Sequence, residues 1–472
     1  MVHFDPSLMR VVLGESSLFP EDVLLDPVDP LRWNLEGTYT REIFSKTLVP
    51  QEFHRAMVVA HEQRHYLDYH LTNYGSWVSR FWGQVKQTIP ALLAAPGPLV
   101  VPISYMEDEL VAPFHGVTPP LAGTHQWVAV RLSANHARRV RRDRVLLPSA
   151  PHGFSGGAQL EALATTFEVA PPEALLPMEE ALTVLTSMPR DMLRWQNEYV
   201  WLGDVLAALE IGPQPLGVGA GRVVNSRLWP SILVASLMGQ FEHLTAENLD
   251  DDPQLWHRIM PSSRLLDLLR WLHGRYRGKI RTVEDAWEAV NEACVDLYGF
   301  DVAASLVSDV DWMARSVERH LNKAHEVIVD LDMVVHVRAR MEIARDFAAD
   351  PMLFVDPSDS RQISPMVADY HLASAGGFSC VPSDLTEFDS EFYASSDGRA
   401  RFVKPKLGED LRELQRVDEE LSAIARFLVR GAASPSWVGP EREAVALWLA
   451  SHKELRIIPP FGTDLGSLVS VS

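Results

Sequence analysis

Residues 51–75 read QEFHRAMVVAHEQRHYLDYHLTNYG, and this stretch predicts a long helix with an apolar side. Pro50 precedes it and suits a first helical turn, where a missing backbone N–H is tolerated. The sequence Asn-Tyr-Gly at residues 73–75 favours helix termination, because Asn and Gly readily adopt the left-handed C-cap conformation. We therefore expect a second helix from residue 76 to about residue 95, before Pro96 and Gly97.

The first helix contains the sequence His61-Glu62-Gln63-Arg64-His65, an HExxH motif. Residues four apart share one face of a helix, so both imidazoles can bind a single metal ion, for which we predict Zn²⁺. Glu62 lies beside the first histidine, where a carboxylate can accept the proton of an activated water molecule. The alternative is a helix with two incidental histidines.

This motif resembles that of the zincin metallopeptidases, whose subclasses differ in the third zinc ligand. The metzincin subclass requires Gly where this chain has Asp68 and His where it has Leu71, so that subclass is disfavoured. The gluzincin subclass uses a glutamate from a later helix with small neighbouring residues. Residues 155–164, SGGAQLEALA, are similar to that context. The resemblance therefore implies Glu161 as the third zinc ligand, with Glu168, two turns further on, as the alternative.

The zincin resemblance covers roughly residues 50–170 and is incomplete at Thr165, where gluzincins often have an Asp that orients a histidine. Asp68 could orient His65 in its place, or it could pair with Arg64 on the helix surface, and both roles stay open. The sequence HEQRHYLD also resembles poorly characterised bacterial proteins with an HExxH helix, to which no activity can be attached.

Peptide hydrolysis also requires a group that stabilises the oxyanion. His152, which precedes the glycine-rich turn before Glu161, is the predicted catalytic partner of Glu62. Further candidates in the same part of the chain are Tyr105, His115 and His125.

The remaining pattern predicts an α+β fold that is predominantly α-helical. The β-branched segments 98–105 and 125–133 indicate a small sheet between the metal-binding helices. From residue 171 onward, apolar residues recur at spacings of three and four, which is typical of helices. We expect a zincin-like catalytic domain at residues 1–260, with its core at 50–170, and a helical domain at residues 261–472 with a loop near 351–385.

Composition restricts the possible partners and compartment. The 472 residues carry a net charge of −20, which argues against binding nucleic acid or anionic membranes. Two cysteines exclude a disulfide scaffold and suit a reducing cytoplasm. We see neither a signal-peptide pattern nor the ~18 apolar residues of a membrane span, so the expected location is cytoplasmic. The excess of Arg over Lys hints at a bacterial source.

Two further features carry structural expectations. His320, His325 and His336 occur on one predicted helix at spacings that are poor for a shared metal, so we interpret them as core or surface histidines. Cys294 lies in an amphipathic helix and is expected to be buried and inert.

The predicted function is that of a zinc-dependent metallopeptidase that hydrolyses a peptide or partner protein. Two alternatives stay open. The same ligands could hold iron in a non-heme oxygenase or hydroxylase, because two histidines and a carboxylate also suit iron. A structural metal could instead belong to a non-catalytic helical interaction protein. The substrate and the oligomeric state cannot be predicted from the sequence.

Overall fold

A computed structural model describes part of the chain, and its described residues are predominantly α-helical, as predicted. The described ranges are 2–5, 10–13, 61–62, 64–94, 96–102, 156–175, 209–211, 228–241, 258–321, 329–357, 381–382, 420–428, 440–452, 454–458 and 469–470. Among these residues, no helix combines the length and apolar character that crossing a membrane requires.

The helices are numbered here in chain order. The first five are α1 (61–62 and 64–71), α2 (Asn73–Ala94), α3 (Gly156–Leu175), α4 (Trp229–Leu237) and α5 (Pro261–Tyr276). The next four are α6 (Val283–Tyr298), α7 (Val302–Leu321), α8 (Val329–Ala349) and the single turn α9 (Met352–Val355). The last two are α10 (420–428) and α11 (Pro440–His452).

Short strands form two three-stranded pairings: β1 (Val2–Asp5), β2 (Arg10–Leu13), β3 (Leu99–Pro102), β4 (Val381–Pro382), β5 (Leu455–Ile458) and β6 (Val469–Ser470). In the first, β2 pairs antiparallel with β1 and parallel with β4; in the second, β5 pairs parallel with β3 and antiparallel with β6. β3 falls within the predicted segment 98–105, whereas segment 125–133 lies outside the described residues. The predicted small sheet between these two segments stays a prediction.

The break between the first two helices occurs at Thr72, just before the predicted stop at residues 73–75, and the second helix, expected from residue 76 to about residue 95, spans Asn73–Ala94. The Thr72 hydroxyl donates to the carbonyl of Asp68 at 2.8 Å and accepts the backbone N–H of Gly75 at 3.0 Å, which bridges the bend. Asn73 stays helical because its side-chain amide donates to the carbonyls of Gly239 and Ser305, at 3.1 and 3.2 Å. Tertiary contacts of Asn73 therefore accompany a break at Thr72 in place of residues 73–75.

Helix α4 lies at the centre of the core, since all nine of its residues are buried. It packs against α3, α5 and α6. Arg264 of α5 donates to two carbonyls in the last turn of α4, Ala235 O at 2.7 Å and Ser236 O at 3.1 Å, where carbonyl groups of a helix need partners outside its regular ladder. The side chain of Cys294 on α6 is buried, as expected, and burial raises its pKa to about 11.

One continuous cluster of buried apolar residues includes members from α1–α4 and from α5 to α11. Described residues on both sides of position 260 thus contribute to the same core. The division into domains at residues 1–260 and 261–472 stays a prediction.

Helix α8 packs onto the bend between α1 and α2 through Arg340, whose side chain is fully buried. Its guanidinium donates to Thr72 O at 2.8 Å and to Asn73 Oδ1 at 2.9 Å. The same group contacts Asp309 of α7 at 2.8 Å. These contacts of Arg340 on α8, which also reach Asp309 on α7, therefore stabilise the angle between α1 and α2.

Candidate metal centre

The structure brings His61, His65 and Glu161 together. The Nε2 atoms of the two histidines lie 3.0 Å apart. Glu161 Oε2 lies 3.3 Å from His65 Nε2 and 3.4 Å from His61 Nε2. Among the described residues, this is a set of three potential ligands whose donor atoms converge on one point.

These separations suit a small divalent cation. Atoms bound tetrahedrally at about 2.0–2.1 Å from zinc lie roughly 3.3 Å from one another. Two imidazole nitrogens and one carboxylate oxygen also form a donor set common in catalytic zinc sites, which keep a fourth position open.

The site is buried on one side and open on the other. The side chain of His65 retains 6% of its accessible surface, that of His61 13% and that of Glu161 36%. A molecule from solvent could therefore approach along the side of Glu161. This asymmetry provides the access that an open coordination position requires.

The electrostatics show how strongly the three side chains interact. Burial alone would raise the pKa of Glu161, but the charge of His65 and hydrogen bonds with both histidines hold that pKa below its usual range. Burial alone would lower the pKa of His65, yet Glu161 raises it above the ordinary histidine value. Binding of a metal ion would favour the unprotonated imidazole of His65, because the ion and a proton compete for the same nitrogen.

Glu62 is placed next to these ligands on α1, and its side chain is buried, with 8% of its surface exposed. Its charge acts on His65, whose pKa it helps to raise. A carboxylate in this position is a candidate general base.

The start of α3, the helix that carries Glu161, lies against the ring of Tyr74 on α2. Gly156 begins α3, and a Cβ atom at this position would lie 2.3 Å from ring atoms of Tyr74 on α2. Further along α3, Gln159 accepts a hydrogen bond from Ser236 of α4. The small residues that pointed to Glu161 in the sequence thus include one that the packing requires.

Asp68 pairs with Arg64, one of the two roles left open by the sequence, but the pair is buried and not on the helix surface. Arg64 Nη2 lies 2.8 Å from Asp68 Oδ1, and both side chains have no exposed surface. Arg64 also donates to the carbonyl of Phe354 on α9 at 2.8 Å.

His70 and His336 form a buried pair that sequence reasoning missed. His70 Nδ1 donates to Tyr66 O at 2.8 Å, and its ring centroid lies 4.7 Å from that of His336. His336 Nε2 shares a hydrogen bond of 3.1 Å with the Ser76 hydroxyl. His336 is therefore a core histidine, as expected. Its contact with His70 could not be predicted from local sequence, because the two residues are 266 positions apart.

The remaining predicted site residues cannot be placed. His152, Tyr105, His115, His125 and His325 lie outside the described residues. Glu168 and His320 lie on α3 and α7, but their side chains are not described. The oxyanion-stabilising role of His152 stays a prediction.

Comparison of the chain with family models, curated proteins and solved structures finds no match.

Proposed function

We propose that the protein is a zinc-dependent metallopeptidase acting on a peptide or a partner protein. The observation that carries this proposal is the convergence of His61 Nε2, His65 Nε2 and Glu161 Oε2 at separations of 3.0–3.4 Å. The resemblance of the HExxH motif to that of zincins supports hydrolysis as the reaction class.

In the proposed reaction, His61, His65 and Glu161 would hold the ion. A bound zinc ion would supply a Lewis acid that polarises a carbonyl and lowers the pKa of water. Glu62 accepts a proton from the attacking water and passes it to the leaving amine, so the peptide bond breaks while a carbon–oxygen bond forms. The buried setting of Glu62 keeps its carboxylate close to the ligands and apart from bulk solvent.

The test starts with metal analysis of the protein purified without added metal. We expect about one zinc ion per chain. The Glu62→Gln variant should retain zinc while hydrolysis of a mixed peptide library falls by about 10²-fold or more. Glu443→Gln, the same change at an exposed position of α11, serves as the matched control and should leave both properties unchanged.

Two results would overturn the proposal. Iron in place of zinc would favour the oxygenase alternative. Full function in Glu62→Gln with the metal still bound would favour a structural metal in a non-catalytic protein.

A further inference from the structure

Arg64 lies on the helix that carries His61 and His65 and contacts the helix that carries Glu161. It directly precedes the ligand His65 on α1, and its side chain is fully buried. Its guanidinium carbon lies 3.7 Å from the centroid of the Phe167 ring on α3. Phe167 follows the ligand Glu161 by six residues, about 9 Å along the helix. One side chain thus connects the turn that carries His65 to the helix that carries Glu161.

The same guanidinium has two more partners. Nη1 donates to the carbonyl of Phe354 at 2.8 Å, and Nη2 lies 2.8 Å from Asp68 Oδ1. Phe354 is itself buried against Phe347 of α8, with ring centroids 5.4 Å apart. The hydrogen bond therefore ties Arg64 to α9, a buried turn whose Phe354 lies 290 positions further along the chain.

Arginine is a suitable residue for this position. Its planar guanidinium can stack on a ring with its faces while it donates in-plane hydrogen bonds, which a lysine ammonium cannot do. A buried cation is costly to desolvate, and apolar residues of similar volume often stabilise a core equally well. Stability alone therefore gives no reason for an ion pair here.

We propose that Arg64, with Asp68 as its counterion, is a positioning residue that holds the two ligand-bearing helices at metal-binding distance. This inference rests on the proposed function, because it takes His61, His65 and Glu161 as the ligands. Arg64 itself does not act on the substrate; it acts through the separation of α1 and α3.

Arg264 offers a matched control within the same chain. It is also buried, its guanidinium carbon lies 3.9 Å from the centroid of the Tyr298 ring, and it donates to the carbonyl of Ala235 at 2.7 Å. Its contacts join α4, α5 and α6, which carry none of the three ligands. Arg64→Met and Arg264→Met therefore remove the same kind of interaction from two different places.

The experiment measures Zn²⁺ affinity by competition with a chromophoric chelator, and stability by urea unfolding with excess chelator. Arg64→Met should weaken Zn²⁺ binding about 10- to 100-fold, the usual effect of losing a group that orients ligands. Arg64→Lys should fall between this variant and the natural protein. Arg264→Met should lower stability but change Zn²⁺ affinity by less than about twofold.

The double variant Arg64→Met/Asp68→Leu separates positioning from folding. Removing both charges should restore much of the stability that the single change loses, because no unpaired carboxylate remains buried. The Zn²⁺ affinity should stay low, since the contact with the Phe167 ring and the hydrogen bond to Phe354 O are still missing. If Arg64→Met does not fold, this double variant and Arg64→Lys provide the comparison.

The inference is overturned if Zn²⁺ affinity follows stability across the set, so that Arg264→Met loses as much affinity as Arg64→Met or the double variant regains it. A natural protein that binds no Zn²⁺ would overturn the proposed function as well. Normal Zn²⁺ binding in both the natural protein and Arg64→Met would overturn the inference alone.

Discussion

At the scale of single residues, the geometry of the candidate metal centre depends on a glycine as well as on its three potential ligands. Gly156 lies against the ring of Tyr74, and Glu161 follows it by little more than one turn of α3. A side chain at position 156 would push the start of α3 away from α2. Because Glu161 belongs to the same rigid helix, its carboxylate would move as well.

We expect Gly156→Ala to lower the free energy of unfolding by about 1–3 kcal/mol, because a Cβ atom would lie 2.3 Å from ring atoms of Tyr74. Zn²⁺ affinity should fall at the same time. Urea unfolding and chelator competition measure the two effects. Gly83→Ala is the control: nothing lies within 4 Å of a Cβ atom there, so a gain of about 0.5–1 kcal/mol is expected. Equal stability of both variants would contradict the prediction.

At the scale of helices, the packing of α8 against α1 and α2 encloses a polar cluster beside the bend. It contains the imidazoles of His70 and His336, the guanidiniums of Arg80 and Arg340, and the carboxylate of Asp309. Asp309 contacts both arginines, at 3.3 and 2.8 Å. A proton on either imidazole would add positive charge to a buried region that already holds two cations.

This cluster should make stability fall with acid. Burial, assisted by Arg340, lowers the pKa of His70 to about 4, and burial together with His70 and both arginines lowers that of His336 well below its usual value. In the unfolded chain both groups bind protons near pH ~6.5. Stability is therefore complete above that pH and decreases below it, by about 1.4 kcal/mol per pH unit for each imidazole, until the folded-state pKa is reached.

The measurement is urea unfolding between about pH 7 and pH 4.5, with chelator present so that the metal ligands titrate alike in every sample. His336→Gln can still donate to Ser76 but cannot gain a proton, so its stability should depend less steeply on pH. Equal slopes for this variant and the natural protein would mean that the pair does not control acid sensitivity.

At the scale of the whole molecule, the candidate metal centre brings together residues from distant parts of the chain. Its ligands are up to 100 positions apart in sequence, and Arg64 rests on α9 far beyond them. The ligand set therefore exists only in the folded protein. A metal ion that binds there should stabilise the entire fold.

We expect Zn²⁺ at about 100 times its dissociation constant to raise the free energy of unfolding by about 2.7 kcal/mol, and a chelator to reverse the change. Glu161→Gln should lose this zinc-linked increment, and its metal-free stability should also fall, because the interactions that lower the pKa of Glu161 stabilise the metal-free fold. His452→Ala, at an exposed position of α11, should keep the full increment. Thermal unfolding with and without Zn²⁺ measures the difference, and an undiminished increment in Glu161→Gln would exclude that residue as a ligand.

Much of the site could be predicted because its main features are local. The spacing of His61 and His65 places two imidazoles on one helical face whatever surrounds the helix. Small residues before Glu161 indicate a helix that can approach another closely. The same local reasoning placed the helix break one to three residues too late, at residues 73–75, because Asn73 forms hydrogen bonds with segments more than 160 positions away.

By itself, then, the sequence determined the predominantly helical fold, the placing of His61 and His65 on one helical face, and Glu62 and Glu161 as the candidate carboxylates. Only the tertiary structure decided that the donor atoms of Glu161 and both histidines converge, that the Arg64–Asp68 pair is buried and that His70 meets His336. The physical reason is range. Helix periodicity depends on neighbours within one or two turns, whereas the burial of a charge or an imidazole depends on which distant segments cover it.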